Sequence, residues 1–89
     1  MNKQHNIKLN KDLSLRKRAE TFIPGGMWGH MSVKKLPYGY PQFFSKAKDA
    51  RIWDSDGNCY IDFMCGYGPN ILGYSNAEVD QAINEQRKK

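Results

Sequence analysis

Residues 50–63 have the sequence ARIWDSDGNCYIDF, in which a polar turn separates two apolar stretches. The turn, residues 56–58, consists of aspartate, glycine and asparagine, the residue types that tight hairpin turns favour. Ile52 and Trp53 precede the turn, and residues 60–63 follow it with further large apolar side chains. This pattern predicts a β-hairpin.

Phe43 and Phe44 lie upstream of the hairpin and predict the start of a third strand. Three strands form a small antiparallel sheet, which is stable in water only if one of its faces is covered. We expect two short helices to provide that cover. Cys59 and Cys65 are interpreted as reduced thiols that help to fill the core, because nothing else in the sequence indicates a secreted protein.

The segment before the sheet predicts a helix followed by a long loop. Apolar residues recur there at helical spacing: Leu15, Ala19 and Phe22. They predict a helix over about residues 13–22, with Asp12 or Ser14 as its cap, that ends before the proline and the two glycines of residues 24–26. Residues 25–41 contain further glycines and prolines among large aromatic residues, so we expect an irregular loop that is ordered only by packing on something else.

The segment after the sheet predicts a second helix. Ser75 and Glu78 have the spacing of a capping box, in which each side chain bonds a backbone amide of the other. The following residues supply an apolar face: Val79, Ala82 and Ile83. Acidic residues in the first turn and basic residues at positions 87–89 both suit the helix dipole.

Length and charge limit the organisation of the chain. Its 89 residues and 39% apolar content suffice for one small folding unit, residues 12–89, after a polar and flexible arm, residues 1–11. The net charge of +5 is concentrated at the two ends, which favours a solvated arm and a helix end over a nucleic-acid site. No apolar stretch has the length of a membrane span or a secretory signal, so the sequence predicts a cytoplasmic protein.

Motifs for phosphate, calcium and zinc all fail in this sequence. Residues 68–75 have P-loop spacing, but Tyr74 stands where a lysine must reach the phosphates. In a calcium-loop alignment of the hairpin turn, Cys65 falls where the bidentate glutamate belongs. The candidate zinc ligands lack paired spacing: His30, Cys59 and Cys65. We therefore expect an α+β fragment without a metal site.

Three segments, taken in order, resemble the start of class III aminotransferases, most closely the glutamate-1-semialdehyde aminomutase branch. They are FIPGG at residues 22–26, the hairpin at residues 50–63, and YGPNILGY at residues 67–74. The hairpin is the most specific of the three, and the resemblance extends over about residues 14–83. Tyr74 departs from the family pattern, which has a histidine there.

The resemblance implies the N-terminal segment of a fold-type I enzyme that depends on pyridoxal phosphate. In that family an internal lysine far downstream holds the cofactor as a Schiff base, and the cofactor accepts the electrons released when the substrate loses a proton. No lysine of this chain has that context. The implied whole protein is a homodimer that binds pyridoxal phosphate and acts on a small amine or amino acid by transfer, migration or racemisation, whereas this chain alone is expected to be inactive.

The resemblance also implies candidate residues on the substrate side of the pocket. Residues 27–32 match the family's substrate-facing loop, and within it the candidates are Trp28, Gly29, His30 and Ser32. Tyr67 matches an aromatic residue near cofactor and substrate, although large aromatic residues also commonly fill a core or an interface.

One departure in this loop affects the expected substrate. Ser32 stands where the aminomutase branch is expected to place an arginine for the substrate carboxylate, and no arginine lies between Arg18 and Arg51. A hydroxyl does not replace a bidentate guanidinium at equal affinity. The sequence therefore favours a related enzyme that acts on a different amine.

Two other functions remain open at this point. The chain is alternatively a short non-enzymatic module, or a pseudogene product, that binds a partner through exposed apolar faces. The hypothesis that the chain binds nucleic acid rests only on its net charge, and it predicts an affinity for nucleic acid that falls steeply with salt concentration.

Overall fold

The computed structural model describes residues 7–29 and 31–89. Its elements follow one another along the chain as helix α1 (Asn10–Phe22), two 3₁₀ turns (Pro24–Gly26 and Val33–Lys35), strands β1 (Phe44–Lys48), β2 (Arg51–Asp54) and β3 (Cys59–Ile61), and helix α2 (Ala77–Arg87). The predicted α+β order of helix, long loop, three-stranded sheet and second helix is confirmed. Part of the predicted arm, residues 1–6, lies outside the described residues.

The three strands form one antiparallel sheet in the order β1, β2, β3. Ile52 pairs with Ala47 on one side and with Tyr60 on the other, so these three residues share a face. The opposite face carries Lys46, Trp53 and Cys59, with the Lys46 ammonium 4.5 Å from the centre of the Trp53 ring. Cys59 is exposed on this face, and both cysteines are free thiols. The prediction that Cys59 fills the core is therefore wrong.

The N-terminus of α1 is capped from the hairpin turn. Leu9 is the N-cap residue and offers no capping side chain, so the expected caps Asp12 and Ser14 are wrong. Instead the carboxylate of Asp56 accepts hydrogen bonds from the backbone amides of Lys11, at 2.8 Å, and Asp12, at 2.9 Å. A carboxylate at this end also suits the helix dipole, so the turn and the helix stabilise each other.

Asp12 attaches the long loop to the helix. Its fully buried carboxylate accepts from the backbone amides of Gln42, at 2.7 Å, and Phe43, at 2.8 Å, and forms an ion pair of 2.5 Å with Arg16. The Arg16 guanidinium also donates to the carbonyl oxygen of Tyr40. The end of the long loop is thus hydrogen-bonded to α1, and the buried charge is neutralised by its partners.

Helix α2 begins at a different cap from the predicted one. The side chain of Asn76 accepts from the amide of Val79 at 3.1 Å, whereas the Ser75 hydroxyl donates to the carbonyl of Ala47 in β1. No residue of α2 is buried, and its apolar face remains open, with Val79 40% and Ile83 50% exposed.

The described part of the chain has little core of its own. Ala19 is the one buried hydrophobic residue within residues 7–29 and 31–89, and the radius of gyration is 16.1 Å against roughly 12 Å for a compact domain of this length. Neither helix covers the apolar face of the sheet, contrary to expectation. That face opens on a groove of about 740 Å³, lined by sheet residues and by residues 37–41, 62–64 and 74. None of the described helices has the length and apolarity that a membrane crossing requires.

Candidate functional site

The predicted substrate-side residues lie in two loops. In the loop after α1, Trp28 is 64% exposed, Gly29 has a φ of 61°, and the Ser32 hydroxyl accepts from the amide of Lys34 at 3.3 Å. In the loop after β3, Tyr67 is 75% exposed. His30 lies outside the described residues.

The structure does not gather these residues around a common cavity within the described part of the chain. None of Trp28, Gly29, Ser32 and Tyr67 lines the apolar groove on the sheet. The Ser32 hydroxyl is engaged in its own turn, which it caps. A substrate-facing role for this set therefore stays a prediction.

The backbone around Tyr67 is unusual. Four consecutive residues have positive φ: Cys65 (52°), Gly66 (61°), Tyr67 (66°) and Gly68 (106°). For residues that carry a Cβ atom, this left-handed conformation costs about 1 to 2 kcal/mol each. The turn is closed by backbone hydrogen bonds from Tyr67 to Met64 and from Gly68 to Cys65, each of 3.0 Å. Surrounding contacts must hold such a turn in place.

Asp62 and Tyr74 join the two ends of the loop that contains this turn. One oxygen of the Asp62 carboxylate accepts from the amides of Met64, at 2.9 Å, and Cys65, at 3.2 Å. The other oxygen accepts from the Tyr74 hydroxyl at 2.7 Å. Both carboxylate oxygens are thus used, one on the start of the turn and one on the end of the loop.

The backbone of Tyr74 is fixed to the sheet. Its amide and carbonyl exchange hydrogen bonds of 2.9 and 3.0 Å with Asp49, in the tight connection between β1 and β2. Gly73 lies so close to this connection that a Cβ atom built there would be 2.8 Å from the Asp49 carbonyl oxygen. Glycine is required at this contact both for space and for its φ of 77°.

A second carboxylate, Asp54, organises the hairpin turn. It is fully buried and accepts from the backbone amides of Asp56 and Asn58, from the Asn58 side chain and from the Tyr60 hydroxyl, at 2.8 to 3.0 Å. The Asn58 side chain also donates to the carbonyl of Lys8. The turn is therefore held by hydrogen bonds from fixed donors.

In the hydrogen-bonded pair of Asp54 and Tyr60, the pKa values of both side chains are shifted away from neutral pH. Burial raises the pKa of Asp54, but the hydrogen bonds from Asn58, Tyr60 and Asp56 outweigh burial and leave that pKa below its usual value. Burial and then the hydrogen bond to Asp54 raise the pKa of Tyr60 to about 12. At neutral pH the carboxylate is ionised and the phenol is neutral, so the pair holds structure and does not exchange protons.

The second hydrogen-bonded pair, Asp62 and Tyr74, shows shifts of the same kind. The hydrogen bond from Tyr74 lowers the pKa of Asp62, and the same hydrogen bond raises the pKa of Tyr74. A general acid or base works best with a pKa near the operating pH, which neither group has. Both pairs therefore hold the turns beside them in position and do not transfer protons.

The raised pKa of Tyr60 gives a testable pH dependence. A group whose pKa is higher in the folded state stabilises that state below its unfolded value, so the contribution of Tyr60 is complete below pH 10 and is lost as pH rises towards 12. We expect the difference in tyrosinate absorbance between wild type and Tyr60→Phe to appear near pH 12. Ionisation near pH 10 would show that the bond to Asp54 is absent in solution.

Comparison with known proteins identifies the family. Residues 33–89 match the sequence model of the family described as Aminotransferase class-III. This match includes the sheet, the Tyr67 loop and α2. The chain belongs to the class III aminotransferases.

Several curated class III relatives are similar to this chain over most of its length. It is 58% identical over 73 residues to an aminopentol aminotransferase of Sphingopyxis macrogoltabida, covering 82% of this chain and 17% of the relative. It is 43% identical over 83 residues to a 3-aminobutyryl-CoA aminotransferase of Cloacimonas acidaminovorans, covering 92% and 20%. A glutamate-1-semialdehyde 2,1-aminomutase of Acetivibrio thermocellus is 44% identical over 77 residues, covering 86% and 18%. The chain thus spans about a fifth of the length of these relatives.

Solved structures confirm the fold assignment. The structure of the PLP internal aldimine form of the FumI protein from Sphingopyxis sp. MTA144 is 55% identical with a TM-score of 0.77, covering 85% of this chain and 18% of that one. An omega-transaminase from Sphaerobacter thermophilus is 26% identical with a TM-score of 0.71, covering 86% and 17%. The chain therefore has the fold of a short segment of aminotransferase structures.

The described residues of this class III segment do not by themselves fit the cofactor. A lysine that holds pyridoxal phosphate is activated by a desolvated pocket. Every lysine within residues 7–29 and 31–89 is exposed. Lys48, for example, donates to the carbonyl of Ser75 at 2.9 Å on the surface. No step of catalysis is therefore assigned to these lysines.

Sequence reasoning missed the residues that hold the loops. The hairpin pattern predicts no role for the carboxylates of Asp54, Asp56 and Asp62. Tyr74 is predicted only as a departure from the family and P-loop motifs. The available signal was the position of these aspartates at the end of a strand or in the turn that follows it, where a short carboxylate can accept from nearby backbone amides.

Proposed function

We propose that this chain is the N-terminal part of a class III aminotransferase that depends on pyridoxal phosphate and moves an amino group from an amine substrate. The observation that carries the proposal is the family match over residues 33–89, together with 58% identity to an aminopentol aminotransferase. The cofactor is held by parts of the protein outside this chain. The isolated chain is inactive and contributes structure.

The substrate we propose is an amine recognised without a carboxylate clamp from this segment. Ser32 occupies the loop position where an arginine would hold a carboxylate, and its hydroxyl already accepts from the amide of Lys34. A carboxylate needs a bidentate cation for tight binding, and the sequence has none between Arg18 and Arg51. Aminopentol, named for the relative at 58% identity, is therefore a better candidate than glutamate-1-semialdehyde.

Exposed apolar surface supports a larger assembly. The groove of about 740 Å³ on the sheet is lined mainly by apolar and aromatic side chains. Several large side chains project without cover: Phe22 (79% exposed), Tyr38 (107%), Phe63 (89%) and Ile71 (85%). Exposed apolar surface of this extent is typical of an interface, and we propose that the remainder of the protomer and a second protomer of a cytoplasmic homodimer cover it.

The experiment is to express the complete reading frame that contains this chain, purify it with pyridoxal phosphate and record its visible spectrum. We expect a cofactor absorption band and transfer of the amino group of aminopentol to a carbonyl acceptor. Consumption of glutamate-1-semialdehyde should be much slower, because the segment offers no arginine for its carboxylate.

The 89-residue chain, treated in the same way, is the control and should show neither band nor transfer. A complete protein without a cofactor band would contradict the family function. A cofactor band with rapid aminomutase activity and no transfer would instead contradict only the proposed substrate.

A further inference from the structure

The loop that contains Tyr67 is held at its two ends and open between them. It leaves the sheet after β3, where Asp62 donates its amide to the Ala50 carbonyl at 2.9 Å, and returns at Tyr74, which bridges to Asp49. The large side chains between these points are exposed: Phe63 (89%), Met64 (55%), Tyr67 (75%), Ile71 (85%) and Leu72 (63%). Within the described residues, packing therefore supplies little to fix the course of this loop.

The backbone of the loop nevertheless adopts a strained conformation. Cys65 and Tyr67 both have left-handed φ angles, which a free chain of L-residues avoids. Within the described residues, the bonds that oppose relaxation are local. The amides of Met64 and Cys65 donate to Asp62 at the point where the left-handed run begins. A conformation of this kind persists when its surroundings over-determine it.

The Tyr74 hydroxyl completes this arrangement. It donates to the second oxygen of Asp62 at 2.7 Å, so the carboxylate that starts the turn is fixed by a residue whose backbone is itself bonded to the sheet. A hydrogen bond to a charged acceptor is stronger than one between neutral groups. The Asp62 carboxylate is thus aimed at the Met64 and Cys65 amides by Tyr74.

We infer that Asp62 and Tyr74 form a latch that positions Tyr67 for the amine substrate, an inference that rests on the proposed function of the whole enzyme. Neither residue is catalytic. The latch keeps a larger fraction of the loop in the conformation that presents Tyr67 to the substrate. It does so by fixing the backbone at Met64 and Cys65, where the turn begins.

The first test uses Tyr74→Phe in the full-length enzyme. The variant keeps the ring and removes the donor, so the binding-competent conformation is populated less and the apparent affinity falls by that fraction. Loss of a hydrogen bond to a charged group corresponds to about a tenfold effect. We expect KM for the amine to rise by up to about tenfold, the full factor being reached when the unlatched conformation predominates in the variant, with kcat nearly unchanged because bound substrate selects the competent conformation.

The matched control is Thr21→Val, which also removes a side-chain hydroxyl donor, here an exposed one that bonds the Arg18 carbonyl within α1. It should leave KM and kcat as in wild type. An unchanged KM in Tyr74→Phe would overturn the inference, and so would an equal rise in both variants.

A double-mutant cycle tests whether the two residues act as one unit. Asp62→Ala removes both sets of bonds and should raise KM at least as much as Tyr74→Phe. Once Asp62 is alanine, adding Tyr74→Phe should have no further effect, because the hydroxyl has lost its acceptor. Multiplicative effects of the two changes would show that Tyr74 acts elsewhere.

A readout without activity separates this inference from the proposed function. Hydrogen exchange at the Met64 and Cys65 amides should be faster by about tenfold in Tyr74→Phe than in wild type or Thr21→Val. If the wild-type protein lacks transfer activity, the proposed function fails while exchange still decides whether the latch exists. Unchanged exchange at these two amides would exclude the latch in an active enzyme as well.

Discussion

Replacing Asp12 with alanine should reduce the stability of α1 by about 3 kcal/mol, because the change removes one partner of a buried ion pair. The carboxylate is fully buried and accepts from the amides of Gln42 and Phe43 and from the Arg16 side chain. Without it, two backbone donors and a guanidinium that is 16% exposed lose their acceptor. Native-state hydrogen exchange of the amides of residues 14–22, in the protein that carries this chain, should accelerate about a hundredfold.

The matched control is Asp80→Ala. Asp80 also lies in the first turn of a helix, so both changes remove the same favourable charge from a helix N-terminus. Asp80 is exposed, however, and the expected cost is about 0.5 kcal/mol. Equal effects of the two substitutions would mean that Asp12 contributes only through the helix dipole and not through the loop it attaches.

The sheet was predictable from local pattern because its determinants are adjacent in sequence. The turn at residues 56–58 and the flanking apolar residues specify the hairpin, and Phe44 does begin the third strand. The end of α1 at Phe22 follows equally from the proline at position 24. Each of these features depends on neighbours along the chain.

The caps of both helices were not predictable in the same way. Helix α1 receives its cap from Asp56, far along the chain in the hairpin turn, so no spacing rule within the helix reveals it. For α2 the predicted Ser75 is drawn away to the Ala47 carbonyl, and Asn76 takes its place as the cap. Tertiary partners compete for short polar side chains, and the sequence pattern does not record that competition.

The expectation that two helices cover the sheet was wrong for a related reason. Amphipathic spacing shows that Val79 and Ile83 share a helix face, but it does not show what that face meets. In this chain α2 leaves the face open, and the apolar side of the sheet, with Ile52 and Tyr60, faces a groove. The chain spans about a fifth of the aminotransferases it matches, and the proposed function assigns the cover of both surfaces to the rest of the enzyme.

The candidate site was only partly accessible from sequence. Family resemblance pointed to Tyr67 and Ser32, whereas the structure adds the hydrogen bonds around them: the Asp62–Tyr74 pair in the loop of the first and the bond from the Lys34 amide to the second. The turn at Tyr67 has positive φ angles, which the residue types at positions 65 and 67 do not favour. Such conformations are set by the surroundings and not by local preference.

Substitution of Gly73 by alanine should displace the returning end of the loop and lower local stability by about 3 kcal/mol. The added Cβ atom would lie 2.8 Å from the Asp49 carbonyl oxygen and 2.9 Å from its carbonyl carbon, and both are backbone atoms that have little freedom to move. The two hydrogen bonds between Asp49 and Tyr74 should therefore break. Hydrogen exchange at these two amides should increase about a hundredfold, and KM for the amine should rise with it.

Gly39→Ala provides the control, because Gly39 has a φ of 75° against 77° for Gly73 and nothing within 4 Å of a built Cβ atom. Both substitutions carry the same backbone strain, about 1 kcal/mol, and only the one at Gly73 adds a collision. The difference between the two variants thus isolates the close approach to Asp49. If both variants lose the same stability, the loop tolerates a shift from the sheet, and the anchoring of Tyr74 does not depend on this contact.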